Sequence, residues 1–142
     1  MRELTNLMRK RRDQEGQALV EFALVLPFLL MIVIGIIQFG ILFNNYLTLT
    51  DAVRAGARQA AVLRTDPAPE AKAEARVRQS ADRLDQNALE VEVEPYDPLT
   101  GTPTWAQGGD VSVTATYPFS INILGITVMS GDLSSKTVER IE

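Results

Sequence analysis

The sequence predicts an α+β chain: a long N-terminal transmembrane helix that extends out of the membrane, a second helix, and a small antiparallel sheet of about three strands. Three observations carry this. Residues 22–43 form an apolar run whose only conventionally polar side chain is Gln38. Residues 44–64 keep a helical repeat of apolar and small residues. From residue 89 the repeat changes to an alternation of apolar and polar residues, the period of a half-buried strand.

Residues 1–16 form a short polar leader with Arg2, Arg9, Lys10, Arg11 and Arg12 against Glu3, Asp13 and Glu15. Lys and Arg resist translocation, so a basic flank stays in the cytoplasm and the acidic bulk of the chain is exported. The apolar run of residues 22–43, at 1.5 Å per residue, reaches about 33 Å, enough to cross a hydrocarbon core of about 30 Å. Pro27 lies inside it and leaves the Ala23 carbonyl without its usual partner, which predicts a kink.

The helix is expected to continue past the membrane. Tyr46, Leu49, Val53, Gly56, Ala60 and Leu63 recur at helical spacing on one face. Ala52, Gly56 and Ala60 form a small-xxx-small row that permits close approach by another element. Asp51, Arg54 and Arg58 stand at spacings suited to pairing or to a solvated face. Unbroken from Ala18 to Arg64, this helix would be about 70 Å long. The segment TDPAP, residues 65–69, ends it, with Asp66 and Pro67 reading as N-cap and first position of a second helix over roughly 70–87. Glu74 and Arg78 form an i,i+4 pair there.

In residues 89–95, Leu89, Val91 and Val93 alternate with Glu90, Glu92 and Glu94. A loop rich in Gly and Pro follows over 97–109. Residues 110–119 alternate again, with Val111, Val113, Ala115 and Tyr117 on one face and Pro118 expected to end or edge the strand. Residues 121–129 are apolar around Gly125, and core, loop and membrane-facing readings are all open. Residues 133–141 read as a weak third strand. Four segments result: a leader over 1–16, a transmembrane helix over 17–43, its extracytoplasmic continuation over 44–64, and a small extracytoplasmic α+β domain over 65–142.

The composition excludes several kinds of chemistry. The chain has no cysteine and no histidine. Zinc sites built from Cys and His are therefore excluded, as are triads that need an imidazole base. No phosphate-cradling G-x-x-x-x-G-K motif occurs. The net charge of −4, with an acidic exported part, gives no reason to expect nucleic-acid binding. No enzyme, cofactor, metal or small-molecule substrate is expected. The Glu90, Glu92 and Glu94 row lacks the loop spacing of a calcium motif and reads as a solvated strand face. Trp105, in its Gly/Pro-rich loop, reads as a hydrophobic anchor.

The cluster that carries function is RRDQEGQALVEF, residues 11–22. Glu21 is the only acidic or basic side chain (Asp, Glu, Lys or Arg) between Glu15 and Asp51. A carboxylate near the membrane boundary costs free energy unless it finds a partner, so an ionisable group there suggests function. Cleavage after Gly16 would expose an α-amine at Gln17, positively charged near neutral pH with a pKa of about 7.7–8.0. Glu21 could pair with that amine on a neighbouring subunit, each neutralising the other during assembly.

A basic leader ending in Gly, four residues, Glu, then a long apolar helix resembles a type IV prepilin-like signal. The Tad branch has Tyr after the Glu, where this chain has Phe22. The block ALVLPFLLMIVIGIIQFGILFNNYLTLTDAVRAGARQAAV resembles the TadE-like family: the membrane proline, the FG at Phe39–Gly40 and the AxRAGARxAA stretch are alike. The resemblance covers about residues 14–64. It implies a pseudopilin or minor pilin, a structural subunit of a Tad-type (Flp) pilus or related secretion system. Gly16, Gln17 and Glu21 would serve processing by a prepilin peptidase. Ala52, Arg54, Gly56, Arg58 and Ala60 would serve helix packing or assembly. Implied partners are the major Flp-type pilin, TadF-like and TadG-like subunits and other Tad pseudopilins, and the inner-membrane assembly platform. Two alternatives stay open. The chain could be an uncleaved single-pass anchor for a binding or adhesion domain, and the small-residue row could simply pack on the chain's own C-terminal domain.

Overall fold

The computed structural model describes the backbone of residues 2–123 and 125–142, and the side chains of residues 16–123 and 125–142. The charged side chains expected to hold the leader in the cytoplasm lie outside the described residues. Two helices and three strands follow in order: α1 (Arg2–Ala61), α2 (Pro69–Ser80), β1 (Glu90–Tyr96), β2 (Asp110–Ile123) and β3 (Ile126–Arg140). This is the α+β architecture read from the sequence.

Helix α1 has 60 residues, which makes it about 90 Å long. It runs through Pro27 without interruption. Its first half stands apart from the rest of the chain, so Leu19 to Phe28 are exposed all round. Its second half forms the core. Leu49, Ala52, Val53, Ala57 and Ala60 are fully buried, while Tyr46 on the same expected face is 42% exposed.

The sheet has the order β1-β2-β3, antiparallel throughout. Its inner face lays Val111, Val113 and Ala115, with Ile141 beyond β3, against the buried stripe of α1. Burying apolar surface is the dominant favourable term in folding, and one helix stripe facing one sheet face is the simplest way to obtain it. The last residues fasten this layer: Ile141 N donates to Gly109 O (2.8 Å), Gly108 N donates to Ile141 O (3.0 Å), and Glu142 N donates to Ala61 O (3.0 Å) at the end of α1.

Helix α2 packs beside α1 and is shorter than its apolar spacing predicts. Gln86 Nε2 donates to the carbonyls of Ala81 (2.7 Å) and Leu84 (3.1 Å), and Arg78 Nη1 donates to those of Gln86 (3.0 Å) and Leu89 (3.1 Å). These side chains satisfy carbonyls of the turn by which the chain leaves α2 after Ser80 and reaches β1. Arg78 also makes the expected pair with Glu74 (2.9 Å).

The helix start differs as well. The N-cap is Ala68 with Pro69 following, not Asp66 with Pro67. Asp66 instead accepts from Ala68 N (3.0 Å) in an Asx turn and pairs with Lys72. Lys72, then the Ala68 N–H, holds the Asp66 carboxyl below its ordinary 3.8, against a smaller opposing effect of burial. A depressed carboxylate stabilises the fold above its unfolded pKa and ceases to as pH falls through its folded pKa. Wild type should therefore lose more thermal stability than Asp66→Asn on titration from about pH 5 to about pH 2.5. Parallel curves for the two chains would show that the Asp66–Lys72 pair contributes nothing.

Strand β2 continues through Pro118, which takes the edge position rather than the end, the two placements open to it from the sequence. Pairing with β1 stops at Glu90↔Thr116, so beyond Thr116 one edge of β2 has no neighbour, and an edge is where a strand tolerates proline. The β2–β3 hairpin thus extends past β1 as a two-stranded arm. It carries a register shift at Ile121/Asn122 and turns at Gly125, whose φ of +84° is in the region that favours glycine. The apolar stretch 121–129 is this arm's end.

Candidate functional site

Three groups of residues qualify as functional. The first lies at the start of the apolar stretch. Gly16, Gln17 and Glu21 are all exposed on α1, and one helical turn brings the Gln17 amide to Glu21: Nε2 donates to Oε1 at 3.2 Å. Among the described residues no Lys or Arg lies within 4.0 Å of the Glu21 carboxylate. Its second oxygen is open to an external donor. A Cβ added at Gly16 would meet nothing within 4 Å.

The second group is the AxRAGAR stretch, and the fold divides it. Ala52, Gly56 and Ala60 are all buried, and at Gly56 the facing residues are Ala73 and Val77 of α2. A Cβ at Gly56 would stand 2.2 Å from Val77 Cγ2 and 3.3 Å from the Ala73 carbonyl oxygen, so the absence of a side chain is what lets the two helices meet. At Gly56 this chain's own second helix occupies the space beside the row. Arg54 and Arg58 point the other way and are exposed. Arg54 reaches Asp51 at 3.8 Å with both side chains mostly in solvent, a pairing worth at most about 1 kcal/mol.

The third group is one that sequence reasoning left unassigned. Gln38, the polar exception in the apolar run, donates from Nε2 to the Asn122 carbonyl (3.3 Å) at the end of the β2–β3 arm. Ile41, Leu42 and Asn45 line a groove with Phe119 and Ile121 just above that bond. A lone polar residue in an apolar helix was the available signal, but nothing local indicates that its partner lies 84 residues away.

Among the described residues one helix, Gly16–Ala61, is long and apolar enough to cross a membrane, and its apolar window is unburied. Residues 16–58 match the family of TadE-like proteins. This segment is TadE-like. No curated protein and no solved structure matches the chain. The TadE-like segment begins at Gly16 and takes in Glu21, Pro27, Gln38, Ala52 and Gly56. Together with the exposed apolar helix it supports a membrane-anchored, Tad-pilus-related protein. The α2 helix and the sheet lie outside the matched residues.

Elsewhere, Glu90, Glu92 and Glu94 are exposed on β1, and the described residues hold no cluster of acidic side chains that could bind a metal. Trp105 packs partly buried against the core, and its Nε1 donates to Glu70 Oε1 at 3.4 Å near the start of α2.

Proposed function

We propose that the chain is a TadE-like minor pilin or pseudopilin. In this reading a prepilin peptidase cuts between Gly16 and Gln17, α1 anchors the product in the inner membrane with its N-terminus inside, and residues 44–142 stand outside. The product acts as a structural subunit with the major Flp-type pilin, other Tad pseudopilins and the assembly platform, and performs no catalysis. The observation that carries the reading is the coincidence of three boundaries at residues 16–21: the family match starts at Gly16, the basic leader ends there, and the only carboxylate of residues 17–43 follows at Glu21.

The chemistry supports it. Glycine lowers helix stability by roughly 1 kcal/mol relative to alanine, so Gly16 eases the local opening of α1 that a peptidase needs there. The released Gln17 amine and Glu21 are opposite charges that are each unfavourable alone at a membrane boundary.

The test is intact-mass and N-terminal analysis of the membrane-extracted protein, co-expressed with its cognate peptidase, for wild type and Gly16→Val. Wild type should begin at Gln17 and the variant should keep residues 1–16. Because Gly16 has open space around it, a block reports on the peptidase rather than on the fold. A wild-type chain that keeps its leader beside an active peptidase would leave an uncleaved anchored surface protein and sink the proposal.

A further inference from the structure

The β2–β3 arm points back along α1 toward its apolar half. Pairing with β1 ends at Thr116, and seven more residues of β2 continue to Ile123, a reach of about 23 Å. The Gln38–Asn122 hydrogen bond fixes where the arm ends. Gln38 lies five residues inside the far end of the apolar run at Phe43, or about 7–8 Å along the helix axis. Any membrane that covers the apolar run therefore has the end of the arm at its surface.

The arm's composition suits that depth. Residues 118–131, PFSINILGITVMSG, contain no charged side chain, and the first charge beyond them is Asp132. Ile126, Val128 and Met129 are 71%, 63% and 56% exposed, so no described part of this chain covers them. The polar groups there are largely satisfied internally. Asn122 receives Gln38 Nε2 on its carbonyl and Thr127 Oγ1 on its side-chain oxygen (2.7 Å), and its Nδ2 donates to Ser120 Oγ (3.2 Å). Apolar side chains that protrude around a self-satisfied polar centre are what an interfacial element needs. A free strand edge would be costly in the hydrocarbon centre, which limits the arm to the boundary of headgroups and acyl chains.

We infer that the end of the β2–β3 arm is a second membrane contact, inserting Ile126, Val128 and Met129 into the outer interface of the bilayer that α1 crosses. The inference rests on the membrane-anchored reading of α1. Two attachments, one spanning and one interfacial, would fix the tilt and rotation of the exported domain on the membrane.

The chain has no cysteine, so single reporters can be placed without background. Ile126→Cys, Met129→Cys, Ile32→Cys and Glu92→Cys would each be made in the full chain and reconstituted in phosphatidylcholine–phosphatidylglycerol vesicles. Ile32 is at the centre of the apolar run and Glu92 is exposed on β1. Each would be tested for reaction with an impermeant maleimide and, separately, labelled with a fluorophore and quenched by lipids brominated at different depths. The expected result is maleimide reaction at positions 126 and 129 roughly tenfold or more slower than at 92, with strongest quenching from shallow bromines. Position 32 should be quenched by deep bromines. Deep quenching at 32 with positions 126 and 129 as reactive as 92 would overturn the second contact and leave the anchor intact. Protection at 126 and 129 without lipid quenching would assign the surface to another copy of the chain and also overturn it. Absence of quenching at 32 would overturn the anchor reading and this inference with it.

Discussion

Gly56→Val is expected to separate α2 from α1 and destabilise the exported half of the chain by about 3 kcal/mol, the upper end of the cost of overpacking a core. The geometry is specific. The first added carbon would already stand 2.2 Å from Val77 Cγ2, and on its other side is the Ala73 carbonyl oxygen at 3.3 Å. Neither can yield easily: Val77 is fully buried and its branched side chain is stiff within a helix, and the carbonyl is part of the α2 backbone. Gly56→Ala sets two effects against each other. Alanine is favoured over glycine in a helix by roughly 1 kcal/mol, whereas overpacking costs about 1–3 kcal/mol, so a smaller net loss is expected. Val77→Ala alone should also destabilise, through lost burial and a cavity. The double variant Gly56→Ala/Val77→Ala should be more stable than the sum of the two losses implies, since the new methyl enters the space vacated by Cγ2. A favourable coupling of about 0.5–3 kcal/mol is the expected range for residues in contact. Thermal unfolding of the full chain in detergent, with limited proteolysis as a second probe, measures all four proteins. Additive losses, or a gain of stability in Gly56→Ala, would show that α1 and α2 do not approach as closely as described.

The second large effect belongs to assembly rather than folding. Glu21→Ala should be processed after Gly16 and inserted normally, yet fail to associate with its partner subunits. Among the described residues, Glu21 is held only by the Gln17 amide at 3.2 Å, an interaction that brings no opposite charge. If its partner is the α-amine of a neighbouring subunit, removing the carboxylate strands that amine at the membrane boundary. Truncating one member of a desolvated charge pair costs roughly 2–5 kcal/mol, which corresponds to a loss of at least about 30-fold in association. Glu21→Gln keeps the size and a hydrogen-bonding oxygen and should recover little, because the missing quantity is charge. Co-purification of tagged subunits from membranes, scored beside the cleavage state of each variant, separates the two steps. Glu21→Ala chains that co-purify like wild type would mean that Glu21 acts only in processing or is incidental.

Local pattern accounts for the features that sequence reading captured. The apolar run over 22–43 and the periodicity of Leu49, Val53, Gly56 and Ala60 define α1, because one helix face must be apolar to be buried. Leu89, Val91 and Val93 against three glutamates define β1 for the corresponding reason at period two. Where sequence reading erred or left a choice open, the deciding partner was distant. Between the two placements read for Pro118, an end or an edge, the stop of β1 at Thr116 decides for the edge. Helix α2 ends at Ser80, and the carbonyls of the turn that follows take donors from Arg78 and Gln86. Asp66 forms an Asx turn because Lys72 and the Ala68 N–H are within its reach.

The sequence by itself determined the class of the fold, the one helix fit to cross a membrane, and the placing of a single carboxylate beside a glycine at its start. Each is a property of neighbours along the chain, where spacing and hydropathy act directly. Only the tertiary structure decided what the small-residue row touches and where residues 121–129 lie. A row of Ala52, Gly56 and Ala60 accepts any closely approaching partner, and it is the position of Val77 that gives its central residue, Gly56, to α2. An apolar stretch around a glycine fits a core, a loop or a lipid surface equally well, and it is the bond from Gln38 to Asn122 that sets its depth along the helix. Hydrophobic burial is non-directional, so a sequence states which surfaces avoid water but not which surfaces meet.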